Sequence, residues 1–467
     1  MELSEITMNN IVVQNNYSPA NGGGFYVTNS ELNISNSTFT NNIADNVGGG
    51  LYCVESTINL ENVDFIDNSS VLRSGGINLD ICTVNYNGGL VQGNTSESGA
   101  GIRLTDSSYL TINRVTVRDN HAVTQGGAFH IMESQMSADS IVVSGNSADI
   151  GGGFHLSRES LLTLQASQIT DNTASASDGT GGGAMYNSDS TSNFNDVTME
   201  GNIADMGSGG AIMCQDCVIG ALHLSLSENS AGDDGAGGAI NISGGSLNLT
   251  LSTLDSNSAG TGDSISASEE AVIDISNSIF WDNTDDFSDA LDMALTYSCG
   301  EEGINAFSET NITLESSPFE YTASGERFLL RDIAENPCLD WGDNETAEAA
   351  LETLLSFDDE WDTLTTSITL EPDGDNDSDG ADEVDAGRHY TTDRVFILDL
   401  QSDESALSWE TVNADSCELF DDNISGIYQI PEGDLELGSV AVDDLESAPQ
   451  GIRCQGESAD AYGWLDS

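Results

Sequence analysis

An asparagine recurs along this chain at positions 16, 42, 68, 94, 120, 146, 172, 202, 229, 257 and 283, a period that points to a stack of similar units and away from a single closed core. The spacing is 26 residues six times running, then 30, 27, 28 and 26. After most of these asparagines comes a glycine cluster: Gly22 to Gly24, Gly48 to Gly50, Gly75 and Gly76, Gly99 and Gly101, Gly126 and Gly127, Gly151 to Gly153, Gly181 to Gly183, Gly209 and Gly210, Gly237 and Gly238.

From each glycine cluster to the next asparagine, apolar residues alternate with polar ones in a register kept from unit to unit. A period of two is that of a strand with one buried face. One column runs Leu32, Ile58, Val84, Leu110, Met136, Leu162, Ile219, Leu247 and Ile273. A second, two residues on, runs Ile34, Leu60, Tyr86, Ile112, Ala138, Leu164, Phe194, Ala221, Leu249 and Ile275. A third runs Phe39, Phe65, Val91, Val117, Val143, Ile169, Met199, Leu226, Leu254 and Phe280.

A unit of three short strands cannot enclose a core alone, but parallel stacking at about 4.8 Å closes every column over the next. The expected fold is therefore all-β: a right-handed parallel β-helix of about ten coils over residues 1–300, forming a rod on the order of 50 Å long. Stacked amides can hydrogen-bond from coil to coil, which gives the asparagine column a reason. Glycine serves a corner where φ must be positive. The chain begins within a coil, so either further coils precede it or residues 1 to 10 fold over the open sheet edge.

Composition narrows the partners. The formal charge is −69, from 79 acidic residues against 10 basic ones, every one of them arginine, which makes nucleic acid and anionic membrane poor partners. An acidic proteome in a saline habitat would produce the same excess. No run of 18 apolar residues is present, so membrane insertion by this chain is not expected, and no signal peptide is seen. Six prolines against 49 glycines exclude collagen. The cysteines Cys53, Cys82, Cys214, Cys217, Cys299, Cys338, Cys417 and Cys454 form no pair of zinc-type CxxC motifs. Disulfides and an oxidising compartment are expected, with Cys53 joined to Cys82 across adjacent coils, Cys214 to Cys217 locally, and Cys299 to Cys338.

FTNN at Phe39 to Asn42, FIDN at Phe65 to Asn68 and FWDN at Phe280 to Asn283, with GGAI at Gly209 to Ile212 and Gly237 to Ile240, form a paired FxxN and GGAI pattern. It resembles the polymorphic outer-membrane protein repeat of chlamydial surface autotransporters and bacterial secreted β-helix proteins, over roughly residues 6 to 283. The resemblance implies a secreted or cell-surface location and an adhesin, an antigen or another surface protein. The membrane barrel that closes the autotransporters is not seen.

Residues 301–393 read as an irregular capping region. Asn344 can cap a short helix over residues 345 to 356, with Ala347, Leu351, Leu354 and Leu355 on one face. Asp375, Asp377 and Asp379 precede Gly380 in the DxDxDG order of a calcium loop, with Glu383 as a further ligand and Asp385 close to the expected closing acid. Calcium is the cofactor this implies; an acidic linker is the plainer alternative. Val384 to Tyr390 resembles the VDxGxHY closing segment of bacterial β-helix proteins. Residues 394–467 read as a small β-sandwich. Trp409 and the flanks of Cys417 and Cys454 resemble bacterial immunoglobulin-like modules in which those two cysteines join the sheets.

Alternation points Tyr26, Tyr52, Asn78, Arg103, His130, His155, Tyr186, Met213 and Asn241 outward on one sheet. A flat stripe of aromatic, imidazole and guanidinium groups can dock a glycan or a partner protein, since rings stack on sugar faces and polar tips hydrogen-bond. Like also stacks on like for purely structural reasons. Two functions follow: a structural or adhesive surface rod, or a polysaccharide lyase or glycoside hydrolase of the pectate-lyase-like superfold. For a lyase, Arg114 and Arg118 beside Asp119 are the nearest candidates. No serine triad or phosphate-cradling loop is apparent. Converging acids around an arginine in a groove would favour the enzyme, and a flat ladder adhesion.

Overall fold

A computed structural model describes residues 4–321, apart from 177–178, 269, 284–286, 288–292, 302–303 and 315–316, and beyond them the backbone of strands between Arg327 and Trp464. The first part is a parallel β-solenoid of about ten coils, almost without helix. In the coil that starts at Leu51, the strands are Leu51–Val54, Thr57–Ile66 and Ser69–Ser70, the second bent in the middle.

The corners of the coils are made by residues in the left-handed region, usually one to a corner and in places two adjacent ones, as at Gly88 and Gly89, Asp106 and Ser107, and Arg158 and Glu159. Around this coil they are Gly48 (φ 69°), Glu55 (φ 47°), Asn62 (φ 53°) and Asp67 (φ 52°). Glycine thus serves one corner, while Asn and Asp, whose short polar side chains tolerate that region, supply many of the others. The middle glycine is needed for another reason: a Cβ on Gly49 would lie 2.4 Å from the carbonyl oxygens of Gly75 and Ser69.

The three apolar columns stack in register. Phe39 pairs with Phe65, Phe65 with Val91, and Val91 with Val117; all four are fully buried. Phe39 and Phe65 stack at a centroid distance of 4.8 Å. The first column's missing member is Ser192, held by Asn187 Nδ2 at 2.9 Å.

Every asparagine from Asn16 to Asn257 donates its Nδ2–H to the Oδ1 of the next. From Asn42 onward Nδ2 also donates to the carbonyl of the third-column residue one coil back, as Asn68 does to Phe39 at 2.9 Å. This second bond is why the motif reads FxxN. A serine ladder is also present: the backbone N–H of Ser108 donates to Ser134 Oγ, of Ser134 to Ser160 Oγ, and of Ser160 to Ser190 Oγ.

Both disulfides described in full close over the corner after the Leu51-type strand. Cys53 pairs with Cys82 one coil on, and Cys214 with Cys217 in its own coil. Cys82 stands in the serine column, its backbone N–H donating to Ser108 Oγ at 3.0 Å. Cys299 is disulfide-bonded, and its expected partner Cys338 lies outside the described residues.

The coils continue past Asn283 and shorten. Ser278 N–H reaches Ser298 Oγ over 20 residues, and Ser298 N–H reaches Asn311 Oδ1 over 13. The expected helix over residues 345 to 356 and the acidic run with Asp375, Asp377, Asp379 and Glu383 lie outside the described residues.

In the C-terminal unit, Phe396–Ser402, Ala406–Val412 and Leu437–Ala441 form one antiparallel sheet. Gly426–Gln429, Ser416–Phe420, Gly451–Gln455 and Asp460–Trp464 form another. Cys417 and Cys454 are register partners on neighbouring strands of this second sheet, so a bridge between them would lie within one sheet and not join two.

Candidate functional site

Parallel register places the expected outward residues in one column. Tyr26 pairs with Tyr52, Tyr52 with Asn78, Asn78 with Arg103, Arg103 with His130, His130 with His155, and His155 with Tyr186. Met213 and Asn241 continue it.

The surface is not the flat ladder expected. Tyr26 is 55% exposed, but Arg103, His130 and His155 are each only 5% exposed. Arg103 and His130, with Tyr52 and Asn78, line the floor of a groove of ≈ 480 Å³. One wall comes from the chain before the glycine corner: Val47, Leu72, Arg73, Glu97, Ser98, Thr124 and Gln125. The other comes from strand ends and the next corner: Asp80, Thr105, Asp106, Met132 and Arg158. Tyr52, Asn78, Arg103 and His130 of the column face this groove, and the flanking chain rises around them.

The floor is ordered by its own contacts. Tyr26 and Tyr52 stack at 5.2 Å, and Tyr52 Oη donates to Asp80 Oδ2 at 3.1 Å. Burial, followed by Asp80, raises the Tyr52 pKa to about 12, so the phenol stays protonated and can donate. His130 Nδ1 shares a hydrogen bond of 2.7 Å with Ser98 Oγ. His155 lies edge-on to His130 and stacks on Tyr186, whose hydroxyl donates to Gln215 Oε1 at 2.7 Å.

Arg103 differs from its neighbours in being under-satisfied. Its Nη1 donates to Asn78 Oδ1 at 3.4 Å, while Nε is buried and has no hydrogen-bond partner among the described residues. Among the described residues no carboxylate oxygen lies within 4.0 Å of its guanidinium. Burial, followed by the like charge of Arg73, lowers its pKa to about 10, against an opposing pull from Asp106 and Asp80. Burial, then the charges of His155 and Arg103, hold the His130 pKa well below the ordinary range.

The lyase candidates lie elsewhere. Arg118 Nε is 3.9 Å from Asp119 Oδ2 with both side chains about half exposed, and Arg114 donates to Asn87 Oδ1 at 2.8 Å. Neither arginine lines the groove. Among the described residues no three His, Cys, Asp or Glu side chains gather as metal ligands, and no helix is long and apolar enough to cross a membrane.

Sequence reasoning missed Arg73, Arg158, Asp80, Asp106 and Ser98. One signal was present: between residues 1 and 321 every arginine falls within the stretch Arg73 to Arg158.

Residues 36–54 match the Chlamydia polymorphic membrane protein repeat. This stretch holds the rung Asn42, the corner Gly48 to Gly50 and the groove strand Leu51–Val54 with Tyr52. No curated protein and no solved structure matches the chain.

Proposed function

We propose that this chain is a surface-exposed bacterial β-helix protein, right-handed as parallel crossovers almost always are, that binds a glycan along the groove above Tyr52, Arg103 and His130. The observation that carries this reading is the groove itself, which joins Tyr52, stacked on Tyr26, to the buried polar groups of Arg103 and His130. Rings offer apolar faces to sugars, and fixed donors and acceptors set their orientation. Similarity of residues 36–54 to a repeat of membrane proteins supports the location. The C-terminal strands are read as a small β-sandwich, and Asp375, Asp377, Asp379 and Glu383 as a calcium loop.

A second reading, a polysaccharide lyase, draws on Arg103, Asp80 and Asp106 meeting in one groove. A lyase base must be neutral. With a pKa of about 10, only about one Arg103 side chain in a thousand is neutral at pH 7, so near neutrality it binds anions instead of taking up protons.

The deciding experiment incubates the protein with immobilised neutral and acidic polysaccharides, with and without calcium, following retained protein and unsaturated products together. Retention without product, lost in Tyr52→Ala, is the expected result. Product formation that rises towards pH 10 would establish the lyase, and no retention on any glycan would end the glycan reading.

A further inference from the structure

Within that glycan reading, on which it rests, we infer that the groove contains an oxyanion site centred on Arg103 that selects an acidic sugar, one bearing a carboxylate or a sulfate. Arg103 is 5% exposed, and among the described residues its buried Nε–H has no partner and no carboxylate lies within 4.0 Å of its guanidinium. A buried donor left unmade costs about 1–3 kcal/mol, more for a charged group, and a ligand oxyanion recovers it through charge-assisted bonds. Asn78 takes up one edge of the fork, leaving Nε for the ligand.

Two more arginines, Arg73 and Arg158, line the same groove, and neither is ion-paired among the described residues. In a chain of net charge −69, the groove lining is locally balanced, Arg73, Arg103 and Arg158 against Asp80, Glu97 and Asp106, and salt screens acids beyond about 8 Å. Asp80 and Asp106 on the facing wall argue for a sugar and against a bare ion. A ligand that combines one oxyanion with several hydroxyls can give its charge to arginine and its hydroxyl protons to the acids. A neutral glycan leaves Arg103 unsatisfied, and an inorganic anion leaves the acids unused.

The test measures binding of an oligogalacturonate and its fully methyl-esterified counterpart to the full chain, which keeps the sugar and removes the charge. The acidic oligomer should bind about 10- to 100-fold tighter, the gap should vanish in Arg103→Gln, and sodium sulfate should compete. Arg73→Ala, an exposed change that leaves the core untouched, should narrow the gap about threefold or more even if Arg103→Gln folds poorly. Equal binding of the two oligomers, or a gap that survives in folded Arg103→Gln, overturns the inference. If both oligomers bind equally and Tyr52→Ala abolishes both, the glycan reading stands and only the oxyanion site falls. If neither binds but sulfate raises Tm in the native chain and not in Arg103→Gln, the oxyanion site stands and the glycan reading falls.

Discussion

Asn94 Oδ1 accepts two hydrogen bonds from one residue, Asn68: the backbone N–H at 2.9 Å and the side-chain Nδ2–H at 3.1 Å. Its own Nδ2 donates to Asn120 Oδ1 and to the Phe65 carbonyl, both at 2.9 Å. Every polar atom of the buried amide is in use. Asn94→Ala strands two donors on Asn68 and one acceptor on Phe65, and should cost about 3–5 kcal/mol. Asn94→Asp should be worse, placing a charge where a donor is needed. Because contacts in a solenoid pass mainly between neighbouring coils, hydrogen exchange should quicken first in the adjacent rungs. Uniform exchange throughout would contradict this.

The disulfide Cys53–Cys82 joins two unlike environments. Cys53 is fully buried in an apolar column between Val27 and Leu79, and Cys82 stands in the serine column. Replacing the pair as Cys53→Val with Cys82→Ser should therefore leave a protein more stable than Cys53→Ser with Cys82→Val, by about 1–3 kcal/mol. Equal denaturation midpoints for the two double variants would sink this account of the column.

The two bridges also differ in the loop they close, with sequence separations of 29 and 3. Chain entropy gives the first about 3–4 kcal/mol and the second about 2. Removing Cys53–Cys82 should lower the unfolding midpoint more than removing Cys214–Cys217, and the reverse order would show that loop entropy is not what these bridges contribute.

Burial lowers the His155 pKa from 6.5 to about 4. As pH falls through 6.5 the unfolded chain takes up a proton that the folded chain refuses until about pH 4, so stability drops across that window by up to about 3 kcal/mol. His130, also lowered, acts in the same direction. His155→Phe keeps the ring on Tyr186, removes the unpartnered Nδ1 and should flatten the pH slope of Tm between 7 and 4.5. An unchanged slope would mean that His155 is not the group responsible.

Gly49→Ala should prevent coils from closing on each other, because the new methyl group has backbone oxygens at 2.4 Å and nothing flexible to displace. A loss above about 3 kcal/mol, seen as absence of soluble folded chain, is expected. Gly179→Ala, where a Cβ would meet nothing within 4 Å, is the matched control, with only its φ of 88° against it. If both variants fold equally well, close coil contact does not explain the glycine clusters.

The solenoid was legible in the sequence because its rules are local and repeat. A side chain in the Phe39 or Asn42 column meets the same side chain one coil away, so period, alternation and spacing carry the fold. The shortened coils after Asn283 were not legible, since intervals of 20 and 13 residues break the period that revealed the rest. Alternation also determined that Arg103 and His130 leave the sheet on its outer side. It could not determine what stands beside them. Arg73, Ser98, Asp106 and Arg158 come from corners of different coils, and their height above the Arg103 strand depends on how each corner bends and stacks. A column that the sequence alone leaves as an exposed stripe becomes a buried groove floor, because burial is set by neighbours in space while alternation records only direction along the strand.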